Sequence, residues 1–158
     1  MTDIGTIKFK RLHELAKLPV YATNASNGAD VFACINKAIA IRPGETVLVP
    51  TGFAMELPQG YGAQLLPRSG LGHKHGIVLG NLVGLVDSDY RGEVFISLWN
   101  RTPAKVFPSQ DDQAYFVINP GDRIAQMIIS KMPQFNFVWD DELSETVRGA
   151  GGIGHTGI

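Results

Sequence analysis

Between Gly84 and Asn100 the chain sets two carboxylates, an aromatic ring and a guanidinium (Asp87, Asp89, Tyr90 and Arg91) into the turn before an apolar run, Val94 to Trp99. In that run Val94, Ile96 and Leu98 alternate with Phe95 and Trp99, which is how a strand buried on both faces reads. Charges at the mouth of such a strand must stay open to solvent or to a ligand, because burying them unpaired is costly. Taken alone, the stretch favours a polar turn closed by a salt bridge over a reactive site.

Four other segments carry chemistry of their own. Arg148-Gly-Ala-Gly-Gly-Ile-Gly-His-Thr-Gly157 is headed by an arginine and rich in backbone N–H groups that glycine leaves free to wrap an anion. Gly149, Gly151 and Gly154 satisfy the dinucleotide fingerprint G-x-G-x-x-G only formally, since no helix or ribose-binding acid can follow so close to the last residue. On composition alone a disordered terminal tail is the better account. At Arg68-Ser69-Gly70, a helix capped by Ser69 would offer N–H groups to a phosphate beside the Arg68 guanidinium; an ordinary N-cap is an equal reading. Asp30 stands at the start of the apolar stretch Val31 to Ala33, where an aspartate is usually a turn residue. Asn81, between Gly80 and Leu82, suits a tight hairpin joining Ile77–Leu79 to Val83, and Gln126 inside Ile124–Ile129 needs a partner if buried. His73 and His75 are two apart on the expected helix, which does not put them on one face, so a metal site there is improbable.

The elements that must position these groups are short. Apolar runs at Ile39–Ile41, Thr46–Val49, Phe53–Leu57, Tyr61–Leu66, Ile77–Val83, Val94–Trp99, Tyr115–Ile118 and Ile124–Ser130 read as strands. Arg42-Pro-Gly-Glu45, Pro58-Gln-Gly60, Thr102-Pro103 and Asn119-Pro-Gly-Asp122 supply turn chemistry between them. Many short strands at such spacing predict an all-β barrel or jelly roll. A helix beginning at Ser69 is expected, and Arg11 to Leu18 has a weaker helical look that Pro19 cuts short. No repeat or linker interrupts the chain.

A chain of 158 residues suits one domain with a single core. Its formal net charge of −1 gives no chain-wide attraction to nucleic acid or anionic membrane, so any polyanion it binds must meet a local site. The one cysteine, Cys34, excludes an internal disulfide and fits a reducing compartment. Residues Met1 to Lys10 lack the apolar core of a signal peptide, and no apolar run reaches membrane-spanning length. A cytoplasmic protein is the expectation.

Taken in order, five segments resemble the five motifs of the trimeric deoxyuridine triphosphate nucleotidohydrolases (dUTPases), bacterial type. They are Ala29-Asp-Val-Phe32, Pro67-Arg-Ser-Gly-Leu71, Gly84-Leu-Val-Asp-Ser-Asp-Tyr-Arg-Gly92, Pro120-Gly-Asp-Arg-Ile-Ala-Gln126 and Arg148 to Gly157. The resemblance implies a distorted jelly-roll barrel over residues 1–147 with one short helix, and a glycine-rich arm over 148–158 that closes the active site of a homotrimer. It implies Mg2+-dependent hydrolysis of dUTP to dUMP and pyrophosphate, which keeps uracil out of DNA and supplies dUMP for dTMP synthesis. In that scheme Asp87 is the base that activates water for attack at the α-phosphorus; positioned bases typically contribute about 10²–10⁴-fold. Tyr90 is the ring that packs on deoxyribose and excludes a 2′-hydroxyl, while Asn81 and Val86 belong to the uracil pocket. Arg68, Ser69, Gly70 and Gln126 are implied to hold the phosphates under a cover made by Arg148, Gly152, Ile153, Gly154 and His155. Asp30 is implied to reach Mg2+ indirectly through water, the ion being held mainly by the phosphates, and to orient Arg68. Asp89 and Arg91 become supporting charges of the turn.

Two departures stand out. Where the family usually has phenylalanine the chain has Ile153, which can cover uracil but not stack on it, so weaker closure over the substrate is expected. The segment Arg101 to Asn119 is longer and more polar than usual, with Asp111-Asp112 reading as a hairpin tip. Two rivals remain at this point. One is a dCTP deaminase-like enzyme of the same fold, although no glutamate poised for deamination is evident. The other is a non-catalytic dUTPase-like regulatory binding protein, in which the Asp87 cluster is only a structural turn.

Overall fold

The computed structural model describes residues 5–103 and 115–153. Strands β1 (Lys8–Arg11), β2 (Val20–Tyr21), β3 (Ala29–Phe32), β4 (Ile39–Ile41), β5 (Thr46–Pro50), β6 (Phe53–Glu56) and β7 (Tyr61–Leu66) precede a single helix, α1 (Ser69–His75). After it come β8 (Ile77–Leu79), β9 (Gly84–Val86), β10 (Phe95–Asn100), β11 (Phe116–Ile118) and β12 (Arg123–Lys131). The strands close as an all-β, jelly-roll-like barrel of antiparallel sheets, ordered β2-β3-β12-β7-β9, β5-β10-β8, β1-β6 and β11-β4. Their inward side chains, among them Val31, Ile41, Val49, Phe53, Ile77, Leu79, Ile96, Leu98, Ile118 and Ile124, form one apolar cluster. No helix of the described residues is long and apolar enough to cross a membrane.

Strand β12 is the hub. It pairs with β3 on one side and β7 on the other, so that Gln126 stands opposite both Asp30 and Leu66. The β3 register shifts between Arg123 and Ala125, a bulge. Alternation alone would send Arg123 and Gln126 to opposite faces. The bulge turns two neighbours, Ile124 and Ala125, into the core together and leaves Arg123 and Gln126 on one face, next to Asp30.

Several expectations need correction. Ile77–Val83 is not one strand or a hairpin: β8 pairs with β10 and β9 with β7, so Gly80 to Val83 is a turn between two sheets. The apolar run hid this because Leu82 and Val83 continue the apolar pattern of β8 although both are exposed, at 67% and 50%. Arg11–Leu18 forms no helix; after β1 the Leu12 and His13 amides both donate to the Gly52 carbonyl and the chain turns, Ala16 N–H returning to His13. Ser69 is the first helical residue rather than the cap, a role taken by extended Arg68 with no side-chain cap bond. The helix ends at Gly76, whose φ of 68° is the left-handed conformation glycine accepts without strain. In the single chain β10 buries one face only, Ile96 and Leu98 inward, while Phe95 is 45% exposed.

The inner face of β10 ends on a polar residue that is 2% exposed, Asn100. Its Nδ2 donates to the Ile41 carbonyl at 3.1 Å and its Oδ1 accepts from the Thr102 amide at 3.1 Å, tying β10 to β4 and to the chain beyond. Removing the amide strands both partners, at about 1–3 kcal/mol for each buried group. Asn100→Ala is therefore expected to lower the unfolding free energy by about 2 kcal/mol or more. Chemical denaturation at fixed protomer concentration checks this, and an unchanged midpoint would refute it.

Candidate active site

The turn after β9 is built by its own residues. Tyr90 N–H donates to the Asp87 carbonyl at 3.2 Å, and Arg91 Nη1 donates to the carbonyls of Ser88 (2.7 Å) and Tyr90 (3.0 Å). Arg91 thus braces the backbone, in keeping with a supporting role. The Tyr90 hydroxyl donates to the Glu93 carbonyl at 2.9 Å, which holds the ring back across its own loop. Asp87 itself is exposed, as a group that must meet a water or a ligand has to be.

Beside this turn lies a cavity of about 270 Å³ whose walls include Asn81, Gly84, Val86, Asp87, Tyr90 and Phe95. The Gly80–Val83 turn supplies its far side. Gly80 N–H donates to the Ser97 carbonyl at 2.9 Å, and a methyl at position 80 would stand 2.7 Å from Ser97 Oγ and 2.8 Å from Thr46 Cγ2. The turn is therefore pressed onto β10 and β5. Across it, the Asn81 Nδ2 lies 3.4 Å from where a Gly84 side chain would begin, so glycine lets the amide sit against β9. Leu82, at φ 62°, is the one non-glycine residue of the described chain in the left-handed region, a strained position of the sort that gathers at ligand sites. A wider hollow of about 760 Å³ opens on the other side of Asp87, against Tyr61, Ser88, Asp89 and Met132. The smaller cavity is the better candidate, because it brings Asn81, Val86 and Tyr90 to the same carboxylate, Asp87.

A second cluster is centred on Asp30, which is 8% exposed. Its Oδ1 accepts from Arg68 Nε at 3.1 Å and its Oδ2 from Arg123 Nη1 at 3.3 Å, while Arg68 Nη1 also donates to the Arg123 carbonyl at 3.2 Å. Arg123 is the residue sequence reading missed. Gln126 is half-buried, and its side chain packs so close to Gly28 that a methyl there would stand 2.8 Å from Oε1. Ser69 and Gly70 follow Arg68 at the exposed start of α1.

These two clusters flank β7 on different neighbouring strands, β9 and β12. Val86 pairs with Ala63 near the start of β7, whereas Leu66, just before Arg68, pairs with Gln126 at its end. From Ala63 to Leu66 is three steps of about 3.3 Å, roughly 10 Å along β7, and none of Asp30, Arg68 and Gln126 lines the cavity beside Asp87. Within one chain, then, Asn81, Val86, Asp87 and Tyr90 come together, and so do Asp30, Arg68, Ser69, Gly70 and Gln126, but the two groups do not meet. In the tail, Arg148 Nε donates to the Gly151 carbonyl at 2.8 Å, and Gly152 and Ile153 are exposed. Gly154 and His155 lie outside the described residues, as do residues 104–114 of the long polar segment.

Among the described residues no group of three or more histidine, cysteine or acidic side chains could hold a metal ion. The donor set fits Mg2+ in one way only, with phosphates as the main ligands. A carboxylate offers about four acceptor positions, so Asp30, with one arginine on each oxygen, can still accept from water around such an ion. Cys34 stands apart from both clusters. Burial and, second, the carboxylate of Glu93 push its thiol pKa up, which marks it as an inert core group.

A family model described as dUTPase matches residues 14–157. A deoxyuridine 5′-triphosphate nucleotidohydrolase of Hahella chejuensis is 52% identical over 149 residues, covering 94% of this chain and 91% of that protein. One from Burkholderia cenocepacia is 52% identical over 141 residues, 89% of this chain and 88% of its own length. Among solved structures, a point mutant of the Staphylococcus bacteriophage 80alpha dUTPase with dUpNHpp superposes with a TM-score of 0.84 at 23% identity, covering 98% of this chain and all of that one. A mutant dUTPase of S. aureus phage phi11, described with a structural Mg(II) ion, gives a TM-score of 0.77 at 24% identity over 89% of this chain and all of its own. At such identities the two structures speak for the fold, and the family rests on the model match and the bacterial relatives: this chain is a member of the dUTPase family.

Proposed function

We propose that this protein hydrolyses dUTP to dUMP and pyrophosphate, in sites shared between the subunits of a homotrimer. The observation that carries the reading is the cavity in which Asn81, Val86, Asp87 and Tyr90 converge, in a chain of this family. Uracil enters between the Gly80–Val83 turn and β9, where backbone groups and the Asn81 amide read its O4 and N3–H edge. A cytosine would leave those groups mispaired, and a mismatch of that kind discriminates by roughly 10⁴–10⁵. The Tyr90 ring, tied to Glu93, forms the wall against which the deoxyribose packs, with no room for a 2′-hydroxyl.

Asp87 accepts a proton from a water molecule as its oxygen attacks the α-phosphorus. The bond from that phosphorus to the oxygen bridging to the β-phosphate breaks, and pyrophosphate leaves. Arg68, Ser69, Gly70 and Gln126 bind the phosphate chain, and Asp30 fixes the Arg68 guanidinium. Mg2+, when bound, neutralises phosphate charge and keeps several of its waters; Asp30 would hold it through water. Arg148, Gly152, Ile153, Gly154 and His155 close over the substrate.

Sharing between subunits is supported by the sheet itself. Val86 and Gln126 register three residues apart on β7, roughly 10 Å, and none of Asp30, Arg68 and Gln126 lines the Asp87 cavity, so a complete site needs the Arg68 end of a second copy beside the first chain's Asp87. The segment from Pro133 to Ile153 points the same way. It forms no helix or strand and carries Phe135, Phe137, Val138, Trp139, Leu143 and Val147 uncovered, with Trp139 104% exposed.

Three outcomes test this. Offered each dNTP and NTP with Mg2+, the protein should release pyrophosphate from dUTP alone, and Asp87→Asn should lower kcat about 10²–10⁴-fold with the oligomer intact on gel filtration. Comparable turnover of dTTP or UTP, or ammonia from dCTP, would overturn the reading. Refolded mixtures of Asp87→Asn and Arg68→Ala subunits, each inactive alone, should regain activity if every site draws on two chains; inactive mixtures that still form mixed oligomers count against sharing. Ile153→Phe should lower KM for dUTP, since stacking on a base is worth roughly 1–3 kcal/mol, and an unchanged or higher KM removes that idea.

A further inference from the structure

The Tyr90 ring does not stand out from its loop. It folds back over the backbone two residues on, so that its hydroxyl reaches the Glu93 carbonyl at 2.9 Å. The space it occupies is the space a side chain at position 92 would need. A methyl group there would stand 2.6 Å from Cζ and 3.0 Å from Cε2 of the ring, and closer still to the hydroxyl oxygen. Real side-chain carbons do not approach so closely, so the ring and a residue larger than glycine cannot coexist in this arrangement. Gly92 lies outside the left-handed region occupied by glycines such as Gly76 and Gly121. Its backbone is therefore open to any residue, and what requires glycine is the ring.

The geometry points to Gly92 as a positioning residue for Tyr90: the missing side chain lets the ring lie against its own loop at the wall of the base cavity, and so sets the pocket's discrimination against ribonucleotides. The inference rests on the reading of Tyr90 as the wall that the deoxyribose meets. Three contacts hold the device together. Arg91 Nη1 binds the Ser88 and Tyr90 carbonyls, the Tyr90 hydroxyl binds Glu93, and Glu93 Oε1 in turn accepts from the Gly52 amide at 2.9 Å, which anchors the loop's far end to the chain between β5 and β6. With the backbone pinned at both ends, a methyl at 92 has to be accommodated by the ring. The ring can move, because Tyr90 is 45% exposed and swings into solvent without opening the core.

Gly92→Ala should accordingly fold and assemble as the native chain does, yet lose sugar selectivity. The ratio of kcat/KM for dUTP to that for UTP should fall by roughly tenfold or more, with KM for dUTP raised and kcat little changed, as for lost contacts made equally in ground and transition states. Tyr90→Ala should show the same fall, and Gly92→Ala should add nothing in the Tyr90→Ala background, since the two changes act through one ring. A selectivity loss that is additive in the double variant overturns the inference, as does a Gly92→Ala enzyme of native selectivity alongside a Tyr90→Ala enzyme that has lost it. If Tyr90→Ala itself keeps native selectivity, the wall reading of Tyr90 is what fails. Tyr90→Phe separates the hydroxyl's tether from the ring's bulk: it should lie between the native chain and Tyr90→Ala, and a selectivity equal to that of Tyr90→Ala would put the tether, not the glycine, in control.

Discussion

The structure depends on one buried carboxylate and the two guanidinium groups that make it tolerable. Asp30 sits in β3 among residues that are nearly all inward. A lone charge there would be strongly destabilising, whereas one with a hydrogen-bonded cation on each oxygen is not. Meeting that requirement draws together the middle of β3, the start of β12 and the chain just past β7. It also fixes the Arg68 guanidinium through Nε and Nη1. A guanidinium plane held in advance is what bidentate recognition of phosphate needs, since less side-chain freedom is lost on binding. The same contacts that let the sheet close thus fix in advance the guanidinium for which phosphate binding is proposed.

The turns on either side of β9 are organised differently. There the charges are not buried in pairs but kept at the surface, and the rigid parts are backbone: a turn braced by Arg91, a ring tied to a carbonyl, a strained Leu82 next to Asn81. Each device suits its task. Phosphates are large, charged and alike, so fixed cations recognise them. Uracil and deoxyribose are told from near relatives by shape and by the pairing of a few polar atoms, and backbone held within a few tenths of an ångström does that better than flexible side chains.

Most of the barrel was legible because its strands are short, alternate and are punctuated by glycine and proline; Tyr61–Leu66 and Ile39–Ile41 coincide with β7 and β4. What stayed hidden involved choices that alternation cannot encode. Ile77 to Val83 is apolar apart from Gly80 and Asn81, so nothing in it said that the strand stops at Leu79 and the next one, in another sheet, starts only at Gly84. Arg123 stood just outside the run Ile124–Ser130 read as a strand and drew no role of its own. The signal was its spacing from Gln126 across Ile124 and Ala125: two polar residues flanking two apolar ones in a strand is the mark of a bulge, which puts both on one face. The two groups of candidate residues could be named by their order along the chain, but which of them stand together was not legible, because register is a three-dimensional property. Gly92 gave no signal at all, since its role lies in a ring that folds back onto it.

The extended segment after Met132 bears on how an assembly of such chains is held. Burying its six large apolar side chains would contribute roughly 1.5–3 kcal/mol each, or about 9–18 kcal/mol in all. Fixing the backbone of about twenty residues opposes this by roughly 1–2 kcal/mol per residue, an amount of the same size or larger. An arm exchanged in the proposed trimer would therefore fall short on its own, and could not be what holds subunits together. The contact must come first from the barrels, whose exposed apolar residues include Leu48, Leu85, Phe95 and Val117. In the proposed trimer the arms would dock onto a surface already formed, and that is the condition under which a substrate's own contacts could decide whether the segment from Arg148 to Ile153 is closed or open.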